Sequence, residues 1–178
     1  MVNKMNSTQL AIRLALAAVF SALVCVATLI FPIPIPATSG YFNFGETVIY
    51  IAALVFGPFV GAVAGGVGAA VADMLIGFSF FAPGTLVIKS LEGAIVGFLY
   101  KKLGSHASGR DLKAIIAMII GGFEMVIGYF LYEQLILGYT TAATEIPFNI
   151  VQMLIGLAVA APVSLIVFRV FPQLKSKN

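Results

Sequence analysis

The sequence predicts an all-α fold, a polytopic membrane protein of six transmembrane helices with both termini in the cytoplasm. Three observations carry this. Of the 178 residues, 61% are hydrophobic and 10% charged, where an ordinary soluble domain carries about 25% charged residues. The apolar stretches resolve into six segments, most of them near the ~20 residues a spanning helix needs, joined by short links. The charges are also sorted by sign. Nine of the ten Lys and Arg residues lie at the two ends or in one linker, while six of the seven acids lie inside or at the edges of apolar segments.

The elements follow in order. Helix one covers about 8–31 and stops at Pro32-Ile33-Pro34-Ile35-Pro36, which cannot continue a helix. It is too long for a signal-peptide core and reads as a retained first helix. A charge-free loop reaches Gly45. Helix two covers 46–56, short for a full span, and Gly57-Pro58 turns the chain into helix three at 58–77, with Pro58 suited to a first helical position. Phe78 to Gly84 form a short aromatic loop before helix four at 85–103. The linker from Lys101 to Lys113 is the strongly polar one. Helix five covers 112–137, and helix six runs from Pro147 to 171. Residues 1–178 thus read as a single six-helix membrane domain.

With six helices, Lys4, Arg13, Lys101, Lys102, Arg110, Lys113, Arg169, Lys175 and Lys177 all fall on one side, and the three opposite loops contain no Lys or Arg. The positive-inside rule assigns that side to the cytoplasm, and the chain to the cell membrane. The net charge of +3 is therefore a topology signal, and no nucleic-acid partner is implied. The lone Cys25 permits no intramolecular disulfide.

Direction gives each polar residue a depth. Asn43 and Glu46 enter helix two from outside. Asp73 ends helix three there, and Lys89 and Glu92 lie one to three turns below the outer surface. Glu124 is near mid-depth, Tyr129, Tyr132 and Glu133 are further out, and Asn149 and Gln152 open helix six. Most of these residues share one outer layer, which predicts a pocket opening outward beneath the Pro-rich loop. Candidate substrate-binding residues are Tyr41, Asn43, Asp73, Lys89, Glu92, Tyr129, Tyr132, Asn149 and Gln152. Amides suit the donor and acceptor edges of a polar heterocycle, and tyrosines offer flat stacking area.

Structural readings stand beside these. Lys89 is equally a counter-ion for Asp73 or Glu92 in an ion network. Asn149 and Gln152 can serve as interhelical hydrogen-bond glue. Glu46, Glu133 and Glu145 are expected in the headgroups at helix ends. The glycines of helix three (Gly61, Gly65, Gly66, Gly68) are expected to pack inside the bundle. On helix one, Ala11 with Ala15 and Ala18 with Ala22 form small-xxx-small pairs, and these suit either internal packing or a partner membrane protein.

No Walker motif is present, and His106 is the single histidine, so paired-His metal sites and Ser-His-Asp catalysis are excluded. No catalytic residue, metal or cofactor is predicted. Three functions remain in competition: a solute-binding subunit of a larger importer, a stand-alone proton-coupled carrier using Glu124, Asp73 or Glu92, and an intramembrane enzyme built on an acid.

Particular segments carry a resemblance. Gly40-Tyr41-Phe42-Asn43-Phe44-Gly45-Glu46, then Leu54-Val55-Phe56-Gly57-Pro58 with Gly61, Gly65-Gly66 and Ala72-Asp73, and then Ala82-Pro83-Gly84-Thr85 through Lys89, Glu92 and Gly93 resemble the substrate-binding (S) components of energy-coupling factor (ECF) transporters, specifically the riboflavin-type group. The resemblance is densest from Gly40 to Gly97. It implies high-affinity capture of a water-soluble vitamin from outside, with delivery driven by a membrane scaffold (T) component and two cytoplasmic ATPases. It implies that an AxxxA face on helix one docks the scaffold, with Ala18 and Ala22 the best match and Ala11 and Ala15 the alternative. It also implies that the loop after helix one gates the pocket. Members of the group serve riboflavin, pyrimidine, pyridoxine or other vitamins. The Asn/Lys pair that the resemblance associates with flavin binding on the last helix is absent here, since helix six has Asn149 and Gln152 but no Lys before Lys175.

Overall fold

A computed structural model describes residues 6–30, 32–35, 38, 40–103 and 112–177. The expectations for Lys4, Pro36, His106, Arg110 and Asp111 fall outside the described residues, as do the side chains of Lys175 and Lys177. Six helices carry the fold: α1 (Ser7–Ile30), α2 (Gly45–Phe56), α3 (Pro58–Leu75), α4 (Ala82–Leu103), α5 (Leu112–Ile136) and α6 (Tyr139–Val170). A 3₁₀ turn, Pro172–Lys177, follows α6. Between α1 and α2 a minimal antiparallel hairpin pairs β1 (Ile33–Pro34) with β2 (Tyr41–Phe42), in the register Ile33 to Phe42 and Pro34 to Tyr41.

Five of the helices are long and apolar enough to cross a membrane. The exception is α2, whose 12 residues rise ~18 Å at 1.5 Å each, well short of a ~30 Å hydrocarbon core. It is apolar nearly all round, which is the pattern of a helix enclosed by others. Ile49, Tyr50, Ala52, Ala53 and Leu54 are fully buried. The outer faces of the long helices instead present Leu10, Val71, Leu91, Phe123, Leu131 and Ile166 to the surroundings, an apolar surface suited to lipid.

The glycines of α3 do pack internally. A Cβ on Gly61 or Gly65 would come within 2.8 Å of the Gly93 carbonyl oxygen or 2.5 Å of the Lys89 carbonyl oxygen, and one on Gly68 within 2.5 Å of the Ser21 carbonyl oxygen. Small residues on α3 therefore bring α4 and α1 to backbone contact, and α3 packs most extensively against those two helices.

Two helix starts differ from the sequence expectation. α4 begins at Ala82 rather than 85, because Pro83 occupies a first-turn position where its missing N–H costs nothing. α6 begins at Tyr139 rather than Pro147. Gly138, at φ 89°, makes the break directly after α5, and this left-handed conformation favours glycine. Pro147 and Pro162 both sit inside α6. A membrane helix tolerates interior proline when its neighbours support the backbone, and Ala142 and Glu145 in the early turns are buried against the bundle.

Candidate functional site

One end of the bundle gathers the N-termini of α2, α4 and α6 with the C-termini of α3 and α5. The basic side chains Lys101, Lys102, Lys113 and Arg169 lie on α4, α5 and α6 toward the opposite ends of those helices. At the first end an open cleft of about 370 Å³, mouth included, is lined by the hairpin, α3, α4, α5 and α6. The hairpin side supplies Gly40, Tyr41 and Asn43. Asp73 comes from α3, Phe81 and Thr85 from the start of α4, Tyr129 and Glu133 from α5, and Glu145, Asn149 and Gln152 from α6.

Local geometry fixes these groups. The Tyr41 hydroxyl donates to Asp73 Oδ1 at 2.5 Å, and burial, with Asp73 alongside, pushes the Tyr41 phenol well above its ordinary pKa. Tyr41 is therefore a neutral donor here. The Tyr129 hydroxyl donates to Thr85 Oγ1 at 3.1 Å. Asn43 Oδ1 accepts from the Gly45 N–H at 2.9 Å, turning its side chain back to cap the start of α2. The Thr38 hydroxyl donates to Glu145, which ties the loop over the cleft to α6.

Directly behind the cleft is a charged cluster. Lys89 pairs with Glu46 and with Glu92, the latter at 3.0 Å, and none of the three is more than 3% exposed. The Lys89 ammonium lies over the Tyr129 ring, 5.7 Å from its centroid. Gln152 joins the two regions. Its Oε1 accepts from the Asn43 N–H at 3.1 Å, and its Nε2 is 3.5 Å from Glu46 Oε2.

Of the nine candidate residues, Tyr41, Asn43, Asp73, Tyr129, Asn149 and Gln152 line the cleft. Lys89 and Glu92 lie behind it, and Lys89 neutralises Glu46 and Glu92 rather than Asp73. Tyr132 is not among the lining residues; its hydroxyl donates to the Phe80 carbonyl at 2.7 Å and braces the aromatic loop. The expectation that Glu46, Glu133 and Glu145 sit in headgroups is overturned, since all three are at most 3% exposed. The signal for Glu145 was present in the spacing. Glu145, Asn149 and Gln152 recur at i, i+4 and i+7, one face of a continuous helix, and starting helix six at Pro147 hid the stripe.

On α1, Ala11, Ala15, Ala18 and Ala22 are all exposed. The helix instead meets α3 through Val24, which faces Gly68, and a hydrogen bond from the Ser21 hydroxyl to the Val63 carbonyl at 3.2 Å. The alanine pairs therefore do not serve internal packing.

The family model described as "ECF-type riboflavin transporter, S component" matches residues 9–168. The chain belongs to that family. This S component is also 43% identical over 136 residues to a Pyrococcus woesei protein named only as an uncharacterized protein in the gap 3′ region, covering 76% of this chain and 88% of that one. It is 29% identical over 158 residues to the thiamine precursor transporter HmpT of Lactococcus lactis subsp. cremoris (strain MG1363), covering 88% of each. Family and relative are transporters by name, and with its long apolar helices the S component is a multi-pass protein of the cell membrane that serves transport.

Proposed function

We propose that the chain is the vitamin-capturing subunit of an ATP-driven importer. It binds a water-soluble vitamin from outside in the cleft beneath the hairpin, and it delivers the cargo inward with a T component and two cytoplasmic ATPases. The observation that carries this reading is the cleft itself: polar side chains from the hairpin and four helices converge at one end of an otherwise apolar bundle, opposite the basic residues. The positive-inside rule turns that end outward and puts both termini in the cytoplasm. Enclosure of α2 within a single six-helix domain supports a rigid binding body. The sequence carries no inverted repeat with paired broken helices, the usual mark of a self-sufficient secondary transporter, so an external energy source suits the chain better than a stand-alone carrier. The exposed Ala18 and Ala22 pair, with Ala11 and Ala15 below it, offers a low-relief face for the T component.

Proteoliposomes provide the test. The chain alone should bind vitamin stoichiometrically without accumulating it, and ATP-dependent uptake should appear when T component and ATPases are added. Accumulation against a gradient by the chain alone, abolished by an uncoupler, would establish the carrier instead.

A further inference from the structure

The electrostatic character of the cleft narrows its ligand. Three carboxylates line it, Asp73, Glu133 and Glu145, and no Lys or Arg is among its described lining residues. The nearest cation behind the wall, Lys89, is already engaged by Glu46 and Glu92. Two of the three lining carboxylates keep an oxygen without a hydrogen-bond partner among the described residues, Asp73 Oδ2 and Glu133 Oε2, although both residues are only 3% exposed. A buried, unpartnered carboxylate oxygen costs free energy that a bound donor would recover. Phe81 and Tyr129 line the same cleft, and aromatic side chains offer flat area suited to a ring.

From this arrangement we infer that the cleft selects a cationic or protonated amino-substituted nitrogen heterocycle, whose N–H groups meet Glu133 and Asp73, and that it disfavours neutral flavins and phosphorylated or carboxylated vitamins. The inference rests on the capture reading above and specifies its cargo by charge. An anionic ligand would face three carboxylates in a low-dielectric site. A neutral one would leave the free oxygens of Glu133 and Asp73 without a charged donor.

The test is a charge-matched binding series on the full chain purified in detergent. Pyridoxamine, pyridoxine and pyridoxamine 5′-phosphate share one ring and differ in charge; thiamine and thiamine diphosphate form a second set, and riboflavin is the neutral flavin. Within whichever set binds, the cationic member should bind about 10- to 100-fold more tightly than its neutral or phosphorylated counterpart, the range expected for one charged hydrogen bond. Glu133→Gln should collapse that ratio. Because the ratio compares ligands on one protein, a general loss of folded protein does not mimic the effect. Riboflavin or a phosphate ester binding as tightly as the cationic members would overturn the inference while leaving vitamin capture intact. If the chain binds none of these compounds, the inference is overturned, while the capture reading is decided by the proteoliposome assay.

Discussion

Replacing Lys89 by methionine removes the single cation of the buried cluster and keeps most of the side-chain volume. At the 3.0 Å separation between Lys89 Nζ and Glu92 Oε2, Coulomb's law with an effective dielectric of about 20 gives about 5.5 kcal/mol of attraction. The contact to Glu46 adds a second attraction of the same kind. Desolvation of all three groups offsets much of this in the intact protein. In the variant, however, Glu46 and Glu92 remain at 1% and 0% exposure with no cation beside them. Removing one partner of a buried pair costs about 3–5 kcal/mol, and that is the expected loss for Lys89→Met. Glu46→Gln should cost less, because Lys89 keeps Glu92. The variant carrying Lys89→Met, Glu46→Gln and Glu92→Gln together should recover most of the loss, since no uncompensated charge remains. The assay is SDS titration in mixed micelles followed by near-UV circular dichroism of the tyrosines, as the chain has no tryptophan. A loss below about 1 kcal/mol for Lys89→Met, or a triple variant no more stable than the single one, would refute the argument that Lys89 works as a counter-ion.

Three further outcomes are expected. A Cβ at residue 93 would lie 2.2 Å from the Gly61 carbonyl oxygen, a backbone atom that cannot swing aside, so Gly93→Ala should cost at least the roughly 1–3 kcal/mol of ordinary overpacking; an unchanged unfolding midpoint would contradict the close approach of α3 and α4. Asn149→Ala and Gln152→Ala should each weaken vitamin binding by about 1–3 kcal/mol, the cost of leaving a buried polar group unpaired, and titration with a vitamin the unaltered chain binds would register unchanged affinity if the amides serve only as interhelical glue. Ala18→Leu or Ala22→Leu should spare both stability and binding while blocking ATP-dependent uptake, because both positions are exposed; a joint loss of binding and uptake would place the face within the bundle.

How much of this was legible in the sequence depends on which physical signal each feature leaves. The helices were legible because membrane burial demands long apolar runs, and the internal role of the α3 glycines followed from spacing that only close helix contact uses. The outer polar layer followed from chain direction, and six of the nine residues drawn from it line the cleft. Partner choice was not legible. Lys89 has Glu92 three residues away, yet its other acid, Glu46, lies 43 positions back on α2, and only the packing of α2 against α4 brings the two together. Depth read from helix ends puts Glu133 and Glu145 in the headgroups, and Pro147 reads as the start of α6 in the sequence. With α6 extended back to Tyr139, Glu145 moves from an end to an interior turn facing Thr38 and Gly40. Acids that look affordable at a membrane surface become, one helical turn deeper, the groups that give the cleft its sign.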